Sequence, residues 1–295
     1  MAKLNSRNET AASRTFDICN YIFLALYGLT TLLPFLYILA SSFATEAEII
    51  ERPFFIIPRT PSLHAYRVIF TTDSMWNAAK NSVFITVVGT VLAMTITLMT
   101  AYALTKPIIG RKPLIGLFIF SMFFSGGMIP TYIVVSGIGL LDSLWAVILP
   151  GAMSVYNMVI VRNFFLNLPA GLMESAEIDG AGHMRVLAQI VLPLSMPVIA
   201  TFSLFYAVGF WNQYFNALLY INKQSMWPLQ VLLRAVVMQS QLNSFDTASL
   251  EYVGRLPENS IKMAVIMVAT LPIMLLYPFL QKYFTKGVMI GAIKG

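Results

Sequence analysis

From Asn81 to Thr105 the chain carries no charged side chain, and the same holds from Ile18 to Phe43 and over the long stretch that follows Arg185. These runs settle the fold class before any motif is read. Crossing the hydrocarbon core of a bilayer takes roughly 20 mostly apolar residues as helix. Inside that core each backbone N–H and C=O must find an internal partner, which a helix provides residue by residue. The composition agrees: 58% of residues are hydrophobic and 11% charged, the mean hydropathy is +0.74, and an ordinary soluble domain carries about 25% charged residues. The chain therefore reads as an all-α polytopic membrane protein.

Six spans are expected, near residues 18–42, 81–105, 114–136, 144–162, 194–220 and 262–281. Pro34, the Ser125-Gly126-Gly127 step with Pro130, Pro150-Gly151, Pro272 and Pro278 interrupt several of them. Such breaks are tolerated where neighbouring helices or cavity water satisfy the freed backbone groups, so they favour a packed bundle around a path over six independent anchors. The first run is too long for a signal-peptide core and has no small-residue cleavage pattern after it, so it reads as a retained helix. The single cysteine, Cys19, lies inside it, which excludes an intrachain disulfide.

Basic residues set the expected orientation. Lys106, Arg111 and Lys112 cluster tightly between spans two and three, while the 136–141 turn carries no charge. Positive charge close to span ends marks the cytoplasmic side. Both termini are then cytoplasmic, as is the 163–193 loop, and the segments 44–80 and 221–260 lie outside. In this frame residues 1–17 are an N-terminal tail, 18–285 a six-helix transmembrane domain and 286–295 a C-terminal tail. The net charge of +6 belongs to basic flanks beside anionic lipid, and no nucleic-acid partner is implied.

The polar loop at 163–193 is the most informative segment. Pro169 can open a helix near 170, with Glu174, Glu177 and Asp179 in its first turns where they suit the positive helix end. Gly180 and Gly182 then end it, and a second short helix over about 184–190 stops before Pro193. The product is a helix–turn–helix finger that presents a carboxylate and small residues to the cytosol. Its order is Glu174, Ser175, Ala176, three residues on to Asp179-Gly180, nine more, then Ile190, Leu192 and Pro193.

That spacing resembles the cytoplasmic coupling loop of bacterial ABC-importer permeases, Glu-Ala-Ala, three residues, Gly, nine residues, Ile-x-Leu-Pro. Ser175 in place of the middle alanine is the one departure. The wider chain is similar to the shorter permease of carbohydrate importers of the maltose-transporter type. The features are Ala44–Tyr66 with its spaced prolines, Asn81-Ser82, Tyr102-Ala103, the run Gly139–Trp145 and the Gly287–Gly295 tail. Oligosaccharide or polysaccharide importers, alginate importers among them, are the member type that it looks like. The resemblance implies a heterodimer with a second permease, two ATPase subunits that use ATP and Mg, and an external sugar-binding protein. It implies no cofactor held by this chain, and it places Gly291–Gly295 toward the ATPase interface.

Span five offers the expected substrate surface. Tyr206, Phe210, Trp211, Asn212 and Asn216 mix aromatic rings, which stack on sugar faces, with amides that both donate and accept for hydroxyls. Asn212 and Asn216 are spaced to share one helical face. An alternative surface lies on span two around Met94 and Thr97.

Other functions are disfavoured by what the chain lacks. It has no phosphate loop of the Gly-x-x-x-x-Gly-Lys-Ser/Thr type, and its two histidines, His64 and His183, fall on opposite sides of the membrane, which argues against zinc. An ion-coupled secondary transporter of a small polar solute is the alternative reading. It would need ionisable residues at mid-span, and Lys262 sits only at a span boundary. An intramembrane enzyme would need a reactive pair at the same depth.

Overall fold

The computed structural model describes residues 11–242 and 259–292. Among these residues the regular structure is all helix, with an isolated backbone bridge between Ala44 and Pro61 and no strand. It divides into two compact units, Met1–Thr71 with Asn243–Val268, and Thr72–Leu242 with Ala269–Gly295.

In the first unit α1 (Ala11–Ser42) runs unbroken through Pro34 and is long and apolar enough to cross a membrane. Its large side chains, from Phe16 and Tyr21 to Leu32 and Phe35, are exposed on all sides. A helix apolar all round is one made to be embedded. After it come α2 (Glu46–Glu51) and α3 (His64–Thr71), joined by the proline-punctuated segment. One carboxylate organises that segment. Glu48 accepts from the backbone N–H of Arg59 (2.8 Å) and of Thr60 (3.0 Å), from the Thr60 hydroxyl (2.9 Å) and from Arg52 (2.7 Å). Those donors, the Arg59 and Thr60 amides first, hold its pKa down to about 2. Glu46 does similar work, accepting from Asn259 and from the Ser260 N–H.

The second unit is built on α4 (Asp73–Ala103), among the described residues the other helix long and apolar enough to span by itself. Three further apolar stretches are bent pairs. α5 (Arg111–Phe123) meets α6 (Met128–Gly137) at 113° across Phe124–Gly127, and α7 (Trp145–Ile148), extended by a 3₁₀ turn at Leu149–Gly151, meets α8 (Val155–Leu166) at 49°. The finger follows as α9 (Ala170–Ile178), α10 (His183–Val186) and α11 (Leu192–Leu194). The stretch His183–Leu194 then turns 85° into α12 (Met196–Trp211). The described chain finishes with α13 (Phe215–Tyr220), α14 (Leu229–Leu242) and α15 (Asn259–Ala292).

α4 packs against α12 and α8, and Ile85, Met94, Val161, Phe202 and Phe210 belong to one core. Gly89 makes the closest approach possible: a Cβ there would lie 2.9 Å from three atoms of the Phe210 ring, and one on Gly151 would lie 3.3 Å from the ring's other edge. Hydroxyls on these helices fold back onto their own backbone. Thr30, Thr31, Thr95, Ser121, Thr131 and Thr201 each donate to a carbonyl three or four residues earlier, which removes the cost of carrying them into lipid.

The motif residues at the ends of the spans prove to be connectors. Asn81 Nδ2 donates to the carbonyls of Ser225 (2.9 Å) and Trp227 (3.2 Å), and the Ser82 hydroxyl accepts from Leu229 N–H (2.7 Å). Asp142 sits at φ +56°, where Asp is among the few non-glycine residues that settle. Its carboxylate accepts from the N–H groups of Asn222 (2.6 Å) and Lys223 (3.2 Å), and its own N–H donates to Tyr220 (2.9 Å).

Candidate functional site

The finger has the expected outline, but its charges are placed differently from what its sequence suggests. α9 is nine residues long, from Ala170 to Ile178, and has no acidic residue in its first turn. Glu174 falls mid-helix, Glu177 in the last turn, and Asp179 is the C-cap. The expected match between carboxylates and the positive helix end is therefore absent. Helix entry follows from Pro169, which occupies the N-cap.

Helix exit rests on Gly180 alone. At φ +82° it takes the left-handed conformation that side chains resist. Gly180 N–H donates to Glu177 O (3.1 Å) and Ala181 N–H to Ala176 O (2.9 Å), the paired closure of a Schellman turn. Gly182 takes no part in it and caps α10 from extended backbone at φ −68°. The second half of the finger also departs from expectation. Instead of stopping before Pro193, the chain stays helical through a π turn at Leu187–Val191 and on to Leu194. A π turn shifts the hydrogen-bond ladder by one, so Pro193, which lacks an N–H, fits without clashing with the preceding turn. The direction changes at Ser195 instead, whose N–H is shared between Val191 O and Leu192 O.

The motif residues separate into two sets. Ala176, Ile190 and Leu192 are partly buried and pack on the core, together with fully buried Val186, Leu187 and Val191. Glu174, Ser175, Asp179, Gly180 and Pro193 are exposed. Glu174 makes no hydrogen bond or ion pair among the described residues. Glu177 has the opposite fate. Lys106 Nζ, just past the end of α4, donates to its Oε1 at 2.7 Å, and His183 Nδ1 lies 3.7 Å from the same oxygen. Burial is the largest single influence and disfavours the Lys106 charge, but the hydrogen bond to Glu177 together with the further attraction of Tyr102 and Glu177 outweighs it, and the ammonium pKa ends above its ordinary value. The Glu177 pKa is lowered by the Lys106 hydrogen bond and charge. Nearby, Arg162 Nε donates to Leu104 O at 3.0 Å, fastening the end of α8 to the C-cap of α4. Nothing in the local sequence marks Glu177 and Lys106 as partners, since they lie 71 residues apart.

Span five departs from the single-helix expectation. α12 ends at Trp211 and Asn212 is its C-cap, with Gln213 N–H turning back to Phe210 O. α13 starts afresh at Phe215. Asn212 and Asn216 therefore do not share one helical face. Asn212 is exposed, and its Oδ1 accepts from Gln230 Nε2 at 3.3 Å. Asn216 lines a cavity of about 300 Å³ with Ser125, Thr131, Pro150, Phe215 and Tyr220. The aromatic candidates are packed within the chain. Tyr206 OH accepts from Ser154 N–H (2.9 Å) and pairs with the Thr97 hydroxyl (2.7 Å). Phe210 is wedged between Gly89 and Gly151, and Trp211 Nε1 donates to Ala269 O (2.9 Å). Met94 and Thr97 are buried with them. Among the described residues no group of three or more His, Cys, Asp and Glu is placed to hold a metal ion. The Gly291–Gly295 tail runs beyond residue 292 and so lies largely outside the described residues.

Helices apolar enough to cross a membrane and an exposed, glycine-capped finger are the frame of the molecule. Residues 1–290 match the family described as the binding-protein-dependent transport system inner membrane component, and the chain belongs to that family. It is a membrane permease subunit and not an enzyme. Over its full length it is 52% identical to "Protein LplC" of Bacillus subtilis, with the whole of both chains covered. It is 49% identical to the "Polygalacturonan/rhamnogalacturonan transport system permease protein YtcP" of the same organism, covering 96% of this chain and 99% of the relative. A solved structure, titled as that of a bacterial ABC transporter involved in the import of the acidic polysaccharide alginate, superposes with a TM-score of 0.84. It has 29% identity and covers 95% of this chain and all of the other.

Proposed function

We propose that this permease forms half of the translocation path for an oligo- or polysaccharide, with the 163–193 finger docking on a separate ATPase subunit. The observation that carries the reading is the division of carboxylates on α9. Glu174 is exposed without a partner among the described residues, beside small Ser175 and a Gly180 turn that let another surface approach closely. Relatives named for polygalacturonan and rhamnogalacturonan, and for alginate, support a long sugar as cargo. The partners are a second permease in a heterodimer, two ATPases that bind ATP and Mg, and an external binding protein, to which the family description itself points. Both termini and the finger lie in the cytoplasm, residues 44–80 and 221–260 lie outside, and six spans cross the membrane: α1, α4, the three bent pairs as one each, and α15.

Asn216 is the residue proposed to meet the sugar, through the cavity that it lines, with Asn212 beside the α12 break. Tyr206, Phe210, Trp211, Met94 and Thr97 are buried and would serve the path by holding α4 and α12 in place. The decisive experiment is reconstitution of the four-subunit complex with its binding protein. Glu174→Lys and Gly180→Leu should leave the assembled complex in normal yield and abolish the ATPase stimulation given by loaded binding protein. Normal stimulation in both variants refutes docking through the finger. An impermeant thiol reagent reaching a cysteine at position 175 from outside refutes the topology.

A further inference from the structure

The finger is tied to the membrane body by a polar contact that neither the motif nor the family description assigns. Glu177 stands in the last turn of α9, where the helix carbonyls make the local field negative. A carboxylate there weakens the helix that carries it, so α9's own stability does not account for this residue. Lys106 does. It lies three residues past Ala103, the last residue of α4, and its ammonium reaches Glu177 Oε1 at 2.7 Å while standing 5.4 Å from the centre of the Tyr102 ring. His183 approaches the same oxygen from α10.

α4 is the helix through which such a tie would be felt. Thr97, two turns back from its end, shares the Tyr206 hydroxyl with the Ser154 N–H, which links α4 to α12 and to the start of α8. Arg162 closes the other side by its bond to Leu104 O. The cytoplasmic end of α4 is thus held by two elements that border the finger.

Resting on the docking role proposed for the finger, we propose that Glu177 and Lys106 form a latch that keeps α9 in register with the end of α4 when the ATPase pushes on it. Glu174, three residues earlier, faces the partner subunit, and Glu177 holds the permease. The two carboxylates of one short helix divide the work of receiving and transmitting the stroke.

The strength of the latch depends on assembly. In the isolated chain the Lys106 and Glu177 side chains are 22% and 39% exposed, and water and salt screen pairs of that kind so that they contribute little. An ATPase covering the finger excludes water and salt from the pair, and the attraction grows as the effective dielectric falls. The latch is weak while the finger is free and firm once it is occupied.

Charge exchange in the full transporter tests this. Coupling is read as sugar transported per ATP hydrolysed in proteoliposomes, and assembly by co-purification of all subunits. Lys106→Glu and Glu177→Lys should each lower coupling at least about three-fold, and the double exchange should recover most of it, as interacting residues do in a double-mutant cycle. Glu177→Lys separates the latch from a local structural role. A lysine at that helix end improves the α9 dipole interaction, so a purely structural Glu177 predicts unchanged or better function. Lys106→Arg, which keeps the charge, should retain coupling. Where a single exchange prevents assembly, the milder Glu177→Gln gives the same reading. A double exchange no better than the product of the singles, or a Glu177→Lys transporter with normal coupling, overturns the latch. Gly180→Leu serves as the control: if it uncouples while the charge variants do not, the latch fails and the docking role stands. If Gly180→Leu itself is silent, the docking role fails.

Discussion

Replacing Tyr206 with Phe removes one oxygen from the middle of the bundle. That oxygen accepts from Ser154 N–H at 2.9 Å and pairs with the Thr97 hydroxyl at 2.7 Å. Thr97 has no exposure at all and Tyr206 has 6%, so water cannot replace what is lost. Stranding buried groups costs about 1–3 kcal/mol in soluble proteins, whereas interhelical polar contacts in a membrane average nearer 0.6 kcal/mol. The Ser154 amide tips the balance upward, because a backbone N–H cannot rotate to a new partner as a hydroxyl can. We expect Tyr206→Phe to lose about 1–2 kcal/mol. Thr97→Val added to it should restore part of that, since removing both hydroxyls together leaves fewer orphaned groups. The assay is reversible denaturant unfolding of the purified permease complex in detergent, with transport measured in parallel. Unchanged stability in Tyr206→Phe, combined with an altered preference for sugar length, would refute the structural reading and return this residue to the sugar path.

Gly89→Ala should destabilise by about 1–3 kcal/mol through overpacking, because its Cβ would meet the body of the Phe210 ring at 2.9 Å; the same melts check it, and Phe210→Leu in the Gly89→Ala background should recover part of the loss. Asp142→Ala should lower stability by about 1–2 kcal/mol by freeing the Asn222 and Lys223 amides, while Asp142→Asn, which keeps an acceptor, should lose less, as read by proteolysis of the 221–229 region. The Glu48 staple makes a pH prediction. A carboxylate with its pKa depressed from 4.5 to about 2 contributes stability that is fully present above the unfolded value and is lost as pH falls through the folded one. Protease resistance of the 52–61 segment should therefore hold at pH 5, decline below about 4.5 and vanish near 2, and Glu48→Gln should be sensitive at every pH.

The helical class and two of the breaks were legible because they depend on local chemistry, whereas Pro34, Pro272 and Pro278 sit inside the continuous helices α1 and α15. The uncharged runs became α1 and α4, and Ser125-Gly126-Gly127 and Pro150-Gly151 became the bends of 113° and 49°. Asn81-Ser82 and the Gly139–Trp145 run drew attention as patterns, but their work was not legible. Their partners lie about 80–147 residues away, and a single sequence carries no record of such pairings. The continuity of span five was overestimated for a related reason. No charge, glycine or proline interrupts 210–218, and the break at Asn212 is made by the cap turning back on Phe210, which composition does not announce.

The finger shows the same limit within one motif. Gly180 was readable because a turn that needs positive φ needs glycine. The bounds of the helix, from near 170 to the Gly180 turn, were readable too, but the carboxylates were set too close to its start. On a nine-residue helix that error reverses the electrostatics, since Glu177 stands at the unfavourable end and not the favourable one. A carboxylate at the negative end of a short helix breaks a local rule, and departures of that kind concentrate where function or a distant partner compensates them. Once the start of α9 is fixed at Ala170, the misplacement of Glu177 is itself the signal that a cation must approach from elsewhere. Lys106, in the basic cluster first noticed for its bearing on orientation, supplies it. A basic residue that a sequence offers as a guide to orientation can thus also hold a neighbouring helix in place.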